Sequence, residues 1–361
     1  MRADRGGPLS GLRVVEIAGI GPGPFCGMLL ADLGADVVVI DKGESTARGA
    51  VFNRGKRCIG VDLKSAQGVD AVLSLIDRCH ALIEGMRPGV MERLGLGPDV
   101  CLVRNPRLAY GRMTGWGQAG PLASVAGHDL NYIALSGALW YSGQPGEAPM
   151  APPTLVGDIG GGALYLALGL LAAVMHSRTT GRGQVVDAAV VDGSAHMMNL
   201  LLSLRPGGQL LNERGASLLD GPHWYSTYRC ADGRFISVAS LEPKFYELLL
   251  SKLGLADDVD FRNHDRPDTW PALRQRLAAL FARRTRDEWC ALLEGSDACV
   301  APVLNPDEAA AHPHMVARGV YKRVDGVLQA QPAPRFSVTS ATNITAVDRT
   351  QIAAVLDEWQ N

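Results

Sequence analysis

The chain is predicted to fold as a doubly wound α/β domain with a parallel sheet, joined to a smaller α+β domain. β-Branched runs at Arg13–Ile17 and Asp36–Asp41 enclose a helical stretch at 25–33. Strand and helix patterns go on alternating through the first half, and past residue 220 they give way to a hairpin followed by helices. Strands that read as unbroken apolar runs are those buried on both faces, as parallel strands are. With 361 residues and 47% hydrophobic content the chain exceeds what one core usually sustains, so two domains are expected.

Taken in order, 13–17, 25–33 and 36–41 form a βαβ unit. Residues 67–78 read as a helix, 81–83 as a short strand and 108–113 as another. Residues 159–175 carry no charge and approach the length of a membrane span. Three leading glycines shorten that run, and Asp158 and His176-Ser177-Arg178 bound it, so it reads as a core helix and no membrane span is expected. Gln184–Ala189 adds a strand. Residues 204–220, rich in Gly, Asn and Ser, mark a connector. The hairpin at 225–238 turns on Asp232-Gly233, helices follow at about 243–254, 270–283 and 286–294, and a last helix, 349–359, returns to the first domain. The plan is a large domain over 1–200 completed by about 325–361, a linker over 201–220, a small domain over 221–311 and a return linker over 312–324.

Thirty-five basic against 37 acidic residues leave a net charge of −2, which asks for neither nucleic acid nor an anionic membrane as partner. Seven cysteines (Cys26, Cys58, Cys79, Cys101, Cys230, Cys290, Cys299) are scattered, with no C-x-x-C and no zinc-finger spacing. They read as buried thiols in a reducing cytoplasm, and no metal site is expected. Arg2 and Arg5 precede no apolar run, so no secretory signal is expected and the localisation read is cytoplasmic.

The chemistry is concentrated in Gly127-His128-Asp129 and, about thirty residues on, Gly157-Asp158-Ile159-Gly160-Gly161-Gly162. A base on each face of a planar intermediate can take a proton from one side and return it to the other, which suits inversion at a carbon acid. The surrounding glycines are expected to let a ligand approach closely. Asp158 is expected to begin a helix, with the N–H groups of Ile159, Gly160 and Gly161 aimed at a developing anion. Taken singly, such a His reads as a core residue and such an Asp as a helix N-cap.

Seven motifs occur in order: Gly11-Leu12-Arg13-Val14-Val15-Glu16, Ala31-Asp32-Leu33-Gly34-Ala35-Asp36-Val37, Asn53-Arg54-Gly55-Lys56-Arg57, Val61-Asp62-Leu63-Lys64, Arg87-Pro88-Gly89-Val90-Met91-Glu92-Arg93-Leu94-Gly95, Thr114-Gly115-Trp116-Gly117-Gln118-Ala119-Gly120-Pro121 and Gly181-Arg182-Gly183-Gln184-Val185-Val186-Asp187. Together they resemble the class III coenzyme A transferase (CaiB/BaiF) family, and within it the branch that racemises α-methylacyl-CoA thioesters. That resemblance implies an interlocked homodimer, with the active site between the large domain of one chain and the small domain of the other. It implies an acyl-CoA substrate with no separate cofactor, coenzyme A entering as part of the substrate. It implies coenzyme A contacts at Lys42, Val61, Asp62, Leu63, Lys64, Gly85, Met86, Arg87, Arg93, Gly127, His128, Asp129, Leu130, Asn131 and Tyr132. Arg suits phosphate through bidentate hydrogen bonds where Lys supplies a point charge.

The same resemblance makes His128 and Asp158 the opposite-face bases, with Glu242 reaching His128 from the partner subunit. Lys42 departs from the Arg common in these racemases, and Val39 replaces a common basic residue, so weaker phosphate binding is expected. The stretch Leu219-Asp220-Gly221-Pro222-His223-Trp224-Tyr225 is one residue shorter and bulkier than in relatives; His223 and Trp224 either reshape the acyl pocket or pack the hairpin. His80, His176, His196, His264, His312 and His314 are assigned to packing or surface. Two other readings are a transferase using Asp158 as nucleophile and a non-catalytic acyl-CoA-binding relative.

Overall fold

A computed structural model of the chain describes residues 6–42, 51–339 and 346–360; Arg2 and Arg5, which enter the reading of the N-terminus, lie outside them. The chain divides into two compact units, Met1–Leu139 with Ala151–Met198 and Gln329–Asn361, and Trp140–Met150 with Asn199–Leu328.

The first unit is built on parallel strands β1 (Arg13–Ile17), β2 (Asp36–Asp41), β3 (Arg57–Gly60), β4 (Ala81–Glu84), β5 (Ala109–Thr114) and β6 (Gln184–Ala189), with Asp348–Arg349 as a short edge strand beside β3. The order across the sheet is β3-β2-β1-β4-β5-β6. Successive residues point to opposite faces, so Val14, Val37 and Ile83 enter one core and Val15, Val38 and Leu82 the other. Helices α1 (Pro22–Asp32) and α2 (Ala66–Ile76) are followed by the short α3 (Val90–Arg93) and α4 (Pro98–Arg104), then by α5 (Asp129–Leu135), α6 (Leu164–Thr180) and α7 (Val190–Met197). Helices α1 and α6 cover the first face, and α2 with the C-terminal helix Ile352–Trp359 cover the second. The helical run Leu155–Thr180 is the one stretch among the described residues long and apolar enough to cross a membrane. Leu166, Ala167, Leu170, Ala173 and Val174 from α6 are nonetheless buried in the sheet core, as expected of a core helix.

Strand β3 was not anticipated, because its four residues begin inside the basic motif 53–57. That motif turns out to be buried. Arg54 pairs with Asp32 and donates to Ala330 O at 2.9 Å, Arg57 donates to Asp36 at 3.0 Å and to Glu358 at 3.0 Å, and Lys56 Nζ donates to Glu16 at 2.6 Å and Pro24 O at 2.9 Å. Lys56 and Glu16 are 0% and 1% exposed. Gly27 in α1 makes the room, since a Cβ there would overlap the Glu16 carboxylate. The motif therefore ties β1, α1 and β3 together.

The second unit takes in the segment expected as a linker, which α8 (Asn199–Leu202) leads into. Trp140 Nε1 donates to Asn212 O at 2.8 Å, and Arg214 donates to Ser142 O and Gln144 O, both at 2.9 Å. These bonds make 201–220 a structured part of the unit and draw in 140–150, which the sequence plan left in the large domain. Strands β7 (Tyr225–Arg229) and β8 (Phe235–Ala239) form the expected hairpin, and a third strand, β9 (Val300–Val303), joins antiparallel to β8. Strand β9 contains Pro302 and only four residues, which hid it. Helices α9 (Pro243–Leu253), α10 (Val259–Arg262), α11 (Trp270–Phe281) and α12 (Arg286–Leu293) surround it. The expected return linker holds a helix, Pro313–Ala317, and a strand, Tyr321–Val324, paired with Val327–Ala330. Five of the cysteines are buried; Cys290 and Cys299 are partly exposed.

His223 is 0% exposed and Trp224 5%; inside this unit His223 packs with Tyr246 and Phe261, and Trp224 with Tyr246 and Trp270. The hairpin-packing reading of the two residues is therefore the one realised. Burial above all, then His264 and Arg274, push His223 down to about 3, so it is neutral.

Removing one partner of a buried ion pair strands the other charge, which typically destabilises by about 3–5 kcal/mol. Lys56→Met is expected to lower unfolding stability by about that amount in urea titration, and Glu16→Leu combined with it to recover most of the loss. Equal destabilisation in single and double variants would refute the coupling.

Candidate active site

Strand β1 lies at the centre of the sheet; the chain runs outward through β2 and β3 on one side and β4, β5 and β6 on the other. Where strand order reverses, the loops leaving the carboxyl ends of neighbouring strands part and open a crevice. A cavity of about 340 Å³ sits there. It is lined by residues 19–24 after β1, by Gly85, Met86 and Arg87 after β4, by Thr114, Gly115 and Trp116 at the end of β5, and by Gly127, His128, Tyr132 and Asp158. The segment 19–24, Gly-Ile-Gly-Pro-Gly-Pro, which spans the first βα turn and the start of α1, is not singled out by the sequence reading; a Gly-rich first βα turn is the available signal.

His128 is the exposed N-cap residue of α5. Its backbone N–H donates to Asn131 Oδ1 at 3.1 Å, which fixes the start of the helix. The turn before it is braced by Tyr132, whose hydroxyl donates to Gly127 O and whose ring meets Trp116 edge-on, centroids 4.7 Å apart. Gly115 and Gly127 both lie against that ring, where a Cβ on either would press into it.

Asp158 does not begin a helix. It lies within a π-helical stretch, Leu155–Ala163, that runs into α6. Wide turns of this kind push one backbone segment outward and recur at functional sites. Thr154, just before it, holds φ at 59°, an unusual conformation for a β-branched residue. The Ile159 N–H donates to Thr154 O at 3.1 Å, so it is already used. The Asp158 N–H donates to Asp129 Oδ1 at 2.6 Å. Asp129 is 7% exposed, and Gly157 leaves space for its carboxylate, since a Cβ would overlap Oδ1. The glycines assigned from sequence to ligand approach serve protein packing here: Gly161 lies against Ser194 and Val190 of α7, and Gly162 against Val190 and Pro22.

Burial first, and the Asp129 carboxylate second, push Asp158 up to about 6, against a downward pull from His128. The carboxyl also faces the start of α1, where a Cβ on Gly21 would stand 3.4 Å from Oδ2. Burial and Asp158 together raise Tyr132, with Arg87 acting the other way. The site thus joins a carboxyl that ionises near neutrality to an exposed imidazole on a neighbouring helix.

Of the other residues expected at the site, Gly85, Met86, Arg87, Gly127 and Tyr132 line the cavity. Lys42, after β2, and Val61-Asp62-Leu63-Lys64, after β3, leave the same carboxyl edge without lining it. Val61 and Leu63 pack on the core, while the Lys42 and Lys64 side chains are exposed. Arg93, at the end of α3, is exposed and outside the cavity, as are Leu130 and Asn131. Asp129 is turned inward to Asp158. Glu242 belongs to the second unit, as the exposed N-cap residue of α9.

A doubly wound unit places its ligand crevice at such a switch point, and here a carboxyl and an imidazole open on it. Residues 9–351 match the family model described as CoA-transferase family III, and the chain belongs to that family. It is 44% identical over 336 residues to the α-methylacyl-CoA racemase of Mus musculus, and 43% over 335 residues to that of Homo sapiens, covering 92% of this chain and 87% of each relative. A CaiB/BaiF family protein from Brucella suis has the same fold, with a TM-score of 0.82 and 27% identity, covering 98% of this chain and 100% of that one.

Asp129→Asn keeps an oxygen that can accept the Asp158 N–H while removing the neighbouring charge. Asp158 is then expected to ionise at a lower pH than about 6, as followed by carbon-13 NMR of labelled aspartate. An unchanged or higher titration point would refute the like-charge effect.

Proposed function

We propose that the protein racemises 2-methylacyl-CoA thioesters by moving a proton between the two faces of the α-carbon. The observation that carries this reading is that His128 and Asp158, on separate elements, open on one cavity, with Asp158 held at about 6. A group that ionises near the working pH can both take and give a proton. The identity to the mouse and human racemases supports the same substrate class.

A thioester acidifies its α-carbon because the enolate left behind is comparatively stable. In this reading ionised Asp158 removes the α-proton, and the C–H electron pair moves into the enolate, whose charge rests on the thioester oxygen. Protonated His128 then delivers a proton to the opposite face and the carbonyl re-forms. The site ends with Asp158 protonated and His128 neutral, which is the state needed to process the other epimer. Arg87 stands at the rim, exposed and with no ion-pair partner among the described residues, and is suited to a phosphate of coenzyme A. Lys42 and Lys64 follow strands ending at the same edge. Ile20, 97% exposed, and Val125 offer apolar surface to an acyl chain. Glu242 of the partner subunit would orient the His128 imidazole, and the outward face of α6, with Leu168 66% and Met175 70% exposed, supports an assembly that covers it.

The family's description favours a second reading, transfer of coenzyme A between acids, in which the Asp158 carboxylate attacks the thioester carbonyl, expels the coenzyme A thiolate and forms a mixed anhydride. Incubation of one 2-methylacyl-CoA epimer in deuterated water separates the two. Racemisation predicts α-deuterium and loss of optical purity without an acceptor acid. His128→Ala and Asp158→Ala should each cut interconversion by about 10²–10⁴-fold, each retaining exchange from a different epimer. Exchange that uses Asp158 as base should fade as pH falls through about 6, because the carboxylate form is lost. Hydroxylamine trapping of an acyl group on Asp158, with no α-deuterium, would replace the racemase reading by the transferase one.

The shared-site part of the proposal predicts a dimer that persists on dilution, measured by light scattering. A fully active monomer would rule out a role for Glu242 of the partner subunit.

A further inference from the structure

We infer that the first unit carries a second ligand site, a compact cavity at the amino edge of the sheet that binds a phosphate dianion. The cavity, about 260 Å³, lies where α2 ends, ahead of β4 and β5, and beside the last turns of α6. All strands of the sheet are parallel, so this is the edge opposite the active-site cavity.

Arg78, Arg107 and Arg178 line it together with His80. Among the described residues none of these guanidinium groups is paired with a carboxylate; Arg78 gives one N–H to Leu356 O at 2.9 Å. The acidic residue in the lining, Asp77, has both oxygens on Arg104. His80 Nδ1 accepts the backbone N–H of Arg13 at 3.0 Å, which places the ring proton on Nε2 as a donor. Burial first, then Arg178 and Arg13, lower the proton affinity of His80, as expected where cations gather without a counter-ion.

Like charges held together repel, and a bound anion relieves them. Arg forks bind phosphate oxygens in pairs. Three guanidinium groups and an imidazole N–H offer more donors than the two oxygens of a carboxylate absorb, whereas a phosphate dianion uses them. The volume is below the ~300–1,000 Å³ of sites that enclose a drug-sized ligand, so the bound group is small.

The test uses the full-length protein with nitrogen-15-labelled histidine, with His80→Gln assigning the His80 signal. Inorganic phosphate at constant ionic strength is expected to shift the His80 Nε2 resonance saturably and raise the pH at which the ring titrates, while chloride does neither. Arg107→Ala with Arg178→Ala, both exposed and outside the active-site cavity, should weaken that binding by about tenfold or more and leave α-proton exchange unchanged. AMP as titrant identifies the source of the anion: binding like that of phosphate points to a phosphate monoester, and exclusion points to the free ion. A shift that never saturates, an equal response to chloride, or unchanged affinity in the double variant would overturn the proposal.

Discussion

The candidate site depends on one hydrogen bond, the 2.6 Å contact in which Asp129 Oδ1 accepts the backbone N–H of Asp158. It joins two segments about thirty residues apart in sequence, one carrying the imidazole of His128 and the other the Asp158 carboxyl. A backbone N–H in the first turn of a helix has no partner within that helix, and a buried carboxylate needs donors. Each group satisfies the other. The bond also brings a second negative charge beside Asp158, which together with burial holds that carboxyl at about 6. Position and proton affinity therefore have one structural origin.

Glycine has a particular part in this arrangement. Gly157 admits the Asp129 carboxylate, Gly161 and Gly193 let the π-helical segment and α7 meet backbone to backbone, and Gly115 and Gly127 seat the Tyr132 ring. Each position is one where a Cβ would push apart two elements that hold the site. The run of glycines after Asp158 thus serves the protein's own packing, while residues 19–24 after β1 line the cavity.

Buried charge organises the scaffold in the same way. The residues Arg54, Lys56 and Arg57 stand close together in sequence, yet each leads to a different acid: Asp32 on α1, Glu16 on β1, and Asp36 with Glu358 from β2 and the C-terminal helix. A basic cluster invites assignment to an anionic ligand. Here its burial assigns it to the fold, and among the described residues exposed Arg87 is the Arg or Lys that lines the cavity.

The sequence by itself determined the parallel α/β layout, the strands at 13–17, 36–41 and 184–189, and the two motifs that carry His128 and Asp158, because apolar runs and short polar motifs express themselves locally. It also determined that the long apolar helix belongs to a core, through the glycines and charges that bound it. The tertiary structure decided what depends on partners distant in the chain: that Asp129 turns inward to Asp158, that Asp158 sits within a π-helical turn, that His223 and Trp224 are core residues, and that 140–150 and 201–220 form one folded segment. Strands β3 and β9 were illegible for a related reason, since four residues show little period until neighbouring strands supply their hydrogen bonds. Local pattern follows from the side chains a residue carries with it; burial, charge pairing and backbone satisfaction are properties of what surrounds it after folding.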